Sequence, residues 1–71
     1  MVFMESVDSG VIREIGYDKH NKELFITFVN GSEYAYFGVS DYMYNRFLLA
    51  ESKGTFFNKK IKNKYEYEKE E

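Results

Sequence analysis

Few residues of this 71-residue chain have the chemistry for catalysis, and they are not grouped. His20 is the single imidazole, standing in the polar stretch Asp18-Lys19-His20-Asn21-Lys22. A general base needs a positioned partner and a pocket, and a turn tip supplies neither. Ser9, Ser32, Ser40 and Ser52 have no His or Lys base that the sequence brings beside them; Ser40 and Ser52 read more simply as helix caps. Gly31, Gly38 and Gly54 stand singly, so no glycine-rich phosphate loop is formed. Cys is absent, which removes disulfides and, with one His, the usual zinc sites. Glu66 and Glu68 are a carboxylate pair on a terminal stretch expected to be mobile. The reading is a non-enzyme with no cofactor and no metal.

Two sets of residues could bind rather than react. The first is basic. Residues 53–64 carry Lys53, Lys59, Lys60, Lys62 and Lys64 and no acid, net +5, between a stretch of net −4 and a terminus of net −3. Lys59, Lys60, Lys62 and Lys64 are candidate phosphate contacts, each of which would make binding fall with salt. A solvated helix face is the plainer account, and the overall charge of −2 lacks the basic excess usual in nucleic-acid domains. The second set is aromatic. Seven Tyr and seven Phe make 20% of the chain. Tyr34 and Tyr36, with Tyr17, either pack under helices with their hydroxyls at the edge or form a platform on which unpaired bases stack.

The elements that must position them fit one domain, since 71 residues allow one core between two layers. A chain this short buries only about 60% of its unfolded surface, so large rings must fill that core. Val11 to Asp18 reads as a strand with Val11, Arg13, Ile15 and Tyr17 on one face. Leu24 to Val29 is β-branched and aromatic, as strands are. Asn30-Gly31 is a strong hairpin signal, and Glu33 to Phe37 follows as the third strand. A two-residue loop would set Tyr34 and Tyr36 on the face of Thr27 and Phe25. A three-residue loop, Val29-Asn30-Gly31, sets Leu24, Ile26 and Phe28 beside Tyr36, Tyr34 and Ser32, with Gly31 left-handed. The second gives one consistently apolar face and is preferred; a one-residue slip would reverse it.

Beyond Val39 the period changes. Ser40 caps a helix with Asp41 in its first turn, and Met43, Phe47 and Ala50 share a face beside Tyr44 and Leu48. Ser52 caps a second helix through Phe57 and Ile61, with Tyr65 a turn further on. Gly54 in its first turn implies close approach to another element or a bend. The expected fold is α+β: a three-stranded antiparallel sheet followed by two helices on one face, β-β-β-α-α. Residues 1–67 form the domain and 68–71 an acidic tail.

The other sheet face would carry Phe25, Ala35 and Phe37, with Ile12 nearby and no helix left to cover them. That patch is either an interaction surface for a protein partner, a second copy or stacked bases, or lies under the N-terminal Val2, Phe3 and Met4. The N-terminus lacks a basic region followed by an apolar run. No stretch nears the about 20 apolar residues of a membrane helix. A cytoplasmic location without membrane contact is expected.

Several spaced pieces carry a family resemblance. Ile15-Gly16-Tyr17-Asp18, then Leu24-x-Ile26-x-Phe28, Gly31-x-x-Tyr34-x-Tyr36-x-x-Val39, Ala50-x-Ser52-x-Gly54-x-x-Phe57-Asn58-x-x-Ile61 and Tyr65 together resemble the KTSC domain, across residues 7 to 67. That family is named for the C-terminal extension of some lysyl-tRNA synthetases and also occurs as small free-standing bacterial and phage proteins. The resemblance implies no established activity, and RNA, tRNA-like, as the ligand suggested by the attachment to a synthetase. It marks Tyr34, Tyr36, Ala50, Ser52, Gly54, Phe57 and Ile61 as motif positions. Ser40 stands where members often carry Pro; both residues suit a helix start.

Overall fold

The computed structural model describes residues 2–70. Five antiparallel strands follow one another as neighbours in a meander: β1 (Glu5–Ser6), β2 (Ile12–Asp18), β3 (Glu23–Phe28), β4 (Glu33–Phe37) and β5 (Tyr67–Glu70). Between β4 and β5 lie α1 (Asp41–Leu49) and α2 (Lys53–Phe56), the latter running directly into a π turn at Phe57–Ile61.

The α+β architecture is as expected, but the sheet has five strands rather than three. Both additions are edge strands, and their chemistry hid them. β1 is two exposed residues long. β5 is Tyr-Glu-Lys-Glu, exposed at every position. Charged side chains suit an edge, where they discourage pairing with other chains, but they erase the apolar alternation that marks a strand. Residues 68–70 of the segment read as an acidic tail therefore pair with β4, Ala35 opposite Glu68 and Glu33 opposite Glu70; Glu71 lies outside the described residues.

The β3–β4 hairpin takes the three-residue loop. Ile26 pairs with Tyr34 and Leu24 with Tyr36, Phe28 N–H donates to the Ser32 carbonyl at 2.9 Å, and Gly31 has φ +94°. Residues two apart on a strand share a face, so Leu24, Ile26, Tyr34 and Tyr36 all meet the helices. β2 departs from the expected alternation: a bulge between Ile12 and Glu14 turns Ile12 inward beside Ile15. Ile12 is fully buried in the main core rather than near the opposite face, and Val11 is half exposed. An extra residue in one strand shifts the side-chain phase, and nothing in Val11-Ile12-Arg13 announces where.

α1 is capped as its sequence implies, the Ser40 hydroxyl accepting from Met43 N–H at 3.1 Å. It contributes Phe47 to a core of Ile12, Ile15, Leu24, Ile26, Val39 and Ile61, all fully buried, with Tyr36 and Phe57 nearly so. Each such side chain is worth about 1.5–3 kcal/mol of burial. Ser52 accepts from Thr55 N–H and starts α2 as expected. Phe57 and Ile61 both face the core, but a π turn carries them: Lys62 N–H closes back on the Phe57 carbonyl at 2.8 Å. Asn63, at φ +65°, then ends the element, so Tyr65 enters from a bend and not from another helical turn. Lys64 therefore lies beyond the helical segment that carries Lys59 and Lys60.

Gly54 is explained by close approach. A Cβ there would stand 2.8 Å from Cγ2 of Val11, so the helical segment rests directly on the start of β2. Among the described residues, no helix is long and apolar enough to cross a membrane.

Candidate functional site

The arrangement that joins both sequence signals is a cleft between the β4–β5 edge and the π turn. Tyr34 and Tyr36 project from β4 with ring centroids 6.2 Å apart and planes 23° apart. β5 adds Tyr67, whose ring lies 5.7 Å from Tyr36 and 5.8 Å from Tyr34. From the π turn, Phe57 meets Tyr36 edge-on at 5.5 Å. Phe28 meets Phe57 at 5.3 Å and Tyr34 at 5.6 Å, again edge-on. These tilted pairs are favourable ring geometries and hold one another in place. The cleft they border has a volume of about 360 Å³.

Its rim is polar. Asn30, Asn58, Asn63 and Lys62 line it, and among the described residues no carboxylate does. That is selective in a chain with 12 acidic residues. Asn30 is partly committed, its Oδ1 accepting from Ser32 N–H at 2.9 Å and from the Ser32 hydroxyl at 2.7 Å. The left-handed backbone at Asn63 is one that Asn tolerates better than most residues. It turns the chain so that Lys62 and Asn63 both reach the rim.

Burial grades across the rings. Tyr36 is 5% exposed and Tyr67 57%, with Tyr34 between them. Loss of water around Tyr36, then the Tyr34 and Tyr67 phenols beside it, push its hydroxyl up to about 12. The two motif tyrosines thus serve as core and as cleft wall at once, which the sequence reading had set as alternatives.

The other candidate residues fall as follows. Lys62 lines the cleft; Lys59, Lys60 and Lys64 are exposed on the adjoining segment. Among the described residues the salt bridges belong to Lys19 and Lys22, both on Asp41, so these four lysines are free of ion pairs. Tyr17 is not part of the cleft. Its ring stacks on Tyr44 at 4.5 Å, and its hydroxyl has both the Val39 carbonyl and Asp41 within reach as acceptors for its one proton. Burial, then the Asp41 hydrogen bond and charge, raise this phenol too to about 12. The hydrogen bonds from Lys22 and Tyr17 hold the Asp41 carboxyl below the usual carboxylate range. This cluster ties β2 to the start of α1.

Of the motif positions, Gly54 and Phe57 line the cleft, Ser52 caps α2, and Ala50 ends α1 with its carbonyl accepting from Lys53 Nζ at 2.7 Å. On the opposite sheet face Ala35 is buried, and Phe25 and Phe37 are half-buried. The N-terminal segment lies against that face: a Cβ on Gly16 would stand 2.5 Å from Met4 Sδ and 2.9 Å from a Val2 methyl. Phe3, named with Val2 and Met4 in the alternative of an N-terminal cover, is 87% exposed. His20 sits in a turn whose backbone N–H donates to Asp18.

Sequence reasoning missed Tyr67, Asn63, Asn30 and Phe28 as site residues. Tyr65-x-Tyr67, followed by alternating charge, was the available signal for a strand bearing a ring. Asn58 was visible inside the Phe-Asn motif but was not read as a ligand group.

A small meandering sheet with two helical segments between its last two strands and an aromatic, amide-rimmed cleft at one edge defines an α+β domain. The KTSC domain model matches residues 8–65, and the chain belongs to that family. A crystal structure of a KTSC domain protein from Yersinia pestis superimposes with a TM-score of 0.95 at 38% identity, covering all of both chains. A protein of Tsukamurella paurometabola is 34% identical over 62 residues, 87% of this chain and 92% of that one. A lysine–tRNA ligase of Nostoc punctiforme is 38% identical over 61 residues, 86% of this chain but 11% of the ligase. β5 begins beyond the last residue of the family match.

Proposed function

We propose that this KTSC domain is a non-enzymatic, cytoplasmic RNA-binding module, with tRNA or tRNA-like RNA as its ligand. The observation that carries the reading is the meeting of three tyrosine rings with Lys62 in one cleft, beside the exposed Lys59, Lys60 and Lys64. Rings give sequence-tolerant stacking and lysines give phosphate attraction, the two elements of single-strand RNA recognition. A basic segment focused on one edge can act locally despite a net charge of −2. The occurrence of a similar segment within a lysine–tRNA ligase supports tRNA as the class of RNA. In such a setting the domain would add affinity for RNA without touching the chemistry.

The test is fluorescence anisotropy with labelled tRNA and with a labelled single-stranded RNA, at low and at high salt. Binding that weakens with salt and is abolished when Lys59, Lys60, Lys62 and Lys64 are replaced by Glu is the expected result. Affinity unchanged by those replacements would remove the lysines from the account, and absence of binding to either RNA would remove RNA.

A further inference from the structure

We propose that the cleft takes one unpaired nucleotide, its base stacked on the outer tyrosine wall and its edge read by the Asn58 and Asn63 carboxamides; this rests on the RNA reading above. Four observations lead to it.

The first is size. About 360 Å³ is near the small end of ligand pockets. It admits a single nucleotide and excludes a duplex, whose bases are stacked on both sides.

The second is ring spacing. Slipping a base between two rings needs about 7 Å between them, two van der Waals contacts of about 3.5 Å each. Tyr34 and Tyr67 are 5.8 Å apart and Tyr36 and Tyr67 5.7 Å. No slot is open, so a base must lie on an outer ring face. Tyr67 offers the most exposed face of the three.

The third is the hydrogen-bonding state of the rim. Neither Asn58 nor Asn63 spends its carboxamide on a described residue, whereas Asn30 does. A carboxamide offers a donor and an acceptor side by side. Watson–Crick edges display the complementary pattern, and they are available only on an unpaired base.

The fourth is the floor. The Tyr36 side chain is almost wholly buried and lines the cleft, yet its hydroxyl has no hydrogen bond to a described residue. No buried side-chain nitrogen or oxygen among the described residues lacks a partner, so this hydroxyl is not sealed in the core: it opens to the cleft, where a ligand atom can reach it.

The experiment compares a short mixed-sequence single-stranded RNA with the same strand annealed to its complement, by anisotropy and by amide chemical shifts. Three proteins are used: the natural chain, Asn58→Ala and Tyr67→Ala. Both substituted residues are exposed, and far-ultraviolet circular dichroism checks that each variant folds; Tyr67→Phe keeps the ring should Tyr67→Ala loosen β5. The single strand is expected to bind at least tenfold more tightly than the duplex and to shift the amides of Asn58, Asn63 and Tyr67. Tyr67→Ala should lose about 5- to 150-fold for the stacked base, and Tyr67→Phe should retain affinity. Equal affinity for single strand and duplex, with Tyr67→Ala and Asn58→Ala unaffected, overturns the single-nucleotide assignment while leaving RNA binding through the lysines in place. Failure of both RNAs to bind overturns the RNA reading, and this assignment with it.

Discussion

Removing Lys59, Lys60 and Lys64 while leaving Lys62 in the cleft separates electrostatic capture from recognition. All four side chains are exposed, and the salt bridges among the described residues involve none of them. Replacing three with Gln therefore deletes charge without breaking an internal partner, and stability should hold within about 0.5 kcal/mol. For single-stranded nucleic acid, log affinity falls with log salt by about 0.7 per phosphate neutralised. Four contacts give a slope of about −2.8, so raising salt from about 50 mM to about 200 mM costs about 50-fold in affinity. With Lys62 alone the slope is about −0.7 and the same change costs about 3-fold. Glu66 and the acids of β5 lie close by in sequence and can only lower these slopes. Anisotropy titrations of both proteins across a salt series read the slope directly. A natural protein with a slope near zero, or a triple variant with an undiminished slope, would refute the reasoning.

Three further outcomes follow from the packing. Tyr17 and Tyr36, both raised to about 12, and Tyr44, raised by burial, should ionise later than the ordinary phenol range in tyrosinate absorbance on alkaline titration. A folded value above the unfolded value of about 10 means the stabilisation from Tyr17 and Tyr36 is complete below pH about 10 and lost as pH climbs towards 12; a Tyr17→Phe variant should lose one phenol's share of that late absorbance. Gly54→Ala should destabilise the domain by about 1–3 kcal/mol through its contact with Val11. The second change Val11→Ala should recover most of it in a denaturation double-mutant cycle, and additive losses would show the contact to be irrelevant. Phe25→Ser and Phe37→Ser should each cost about 0.8–1.5 kcal/mol, half of a full ring burial, by urea denaturation. Unchanged stability with weakened self-association in light scattering would mark that face as a docking surface instead.

Sequence and structure agree wherever a local rule was strong. Asn30-Gly31 with flanking apolar residues marked the hairpin, and the need for one apolar face then chose the three-residue loop and the register that put Tyr34 and Tyr36 under the helices. Ser40 and Ser52 were readable as caps because a hydroxyl ahead of a helical period has one common use. The features that escaped depend on partners distant in sequence. The bulge in β2 follows from how Ile12 and Ile15 fit the helices, not from the strand's own residues. The π turn follows from seating both Phe57 and Ile61 before the chain reverses at Asn63. β5 carries no buried side chain, so burial patterning could not reveal it, and with it went Tyr67, the outer wall of the cleft. The lysines were found, but their grouping around one rim residue, Lys62, needed the turn that ends the helical segment.

The most direct measurement is nuclear Overhauser contact between the protons of a bound single-stranded RNA and the tyrosine rings of the labelled protein. The account predicts contacts from base protons to Tyr67 and Tyr34 and from ribose protons to Lys62, with none to Tyr17 or Tyr44. Saturable RNA binding whose contacts lie on α1 or on the Phe25 and Phe37 face, leaving the Tyr34–Tyr67 cleft untouched, would contradict it.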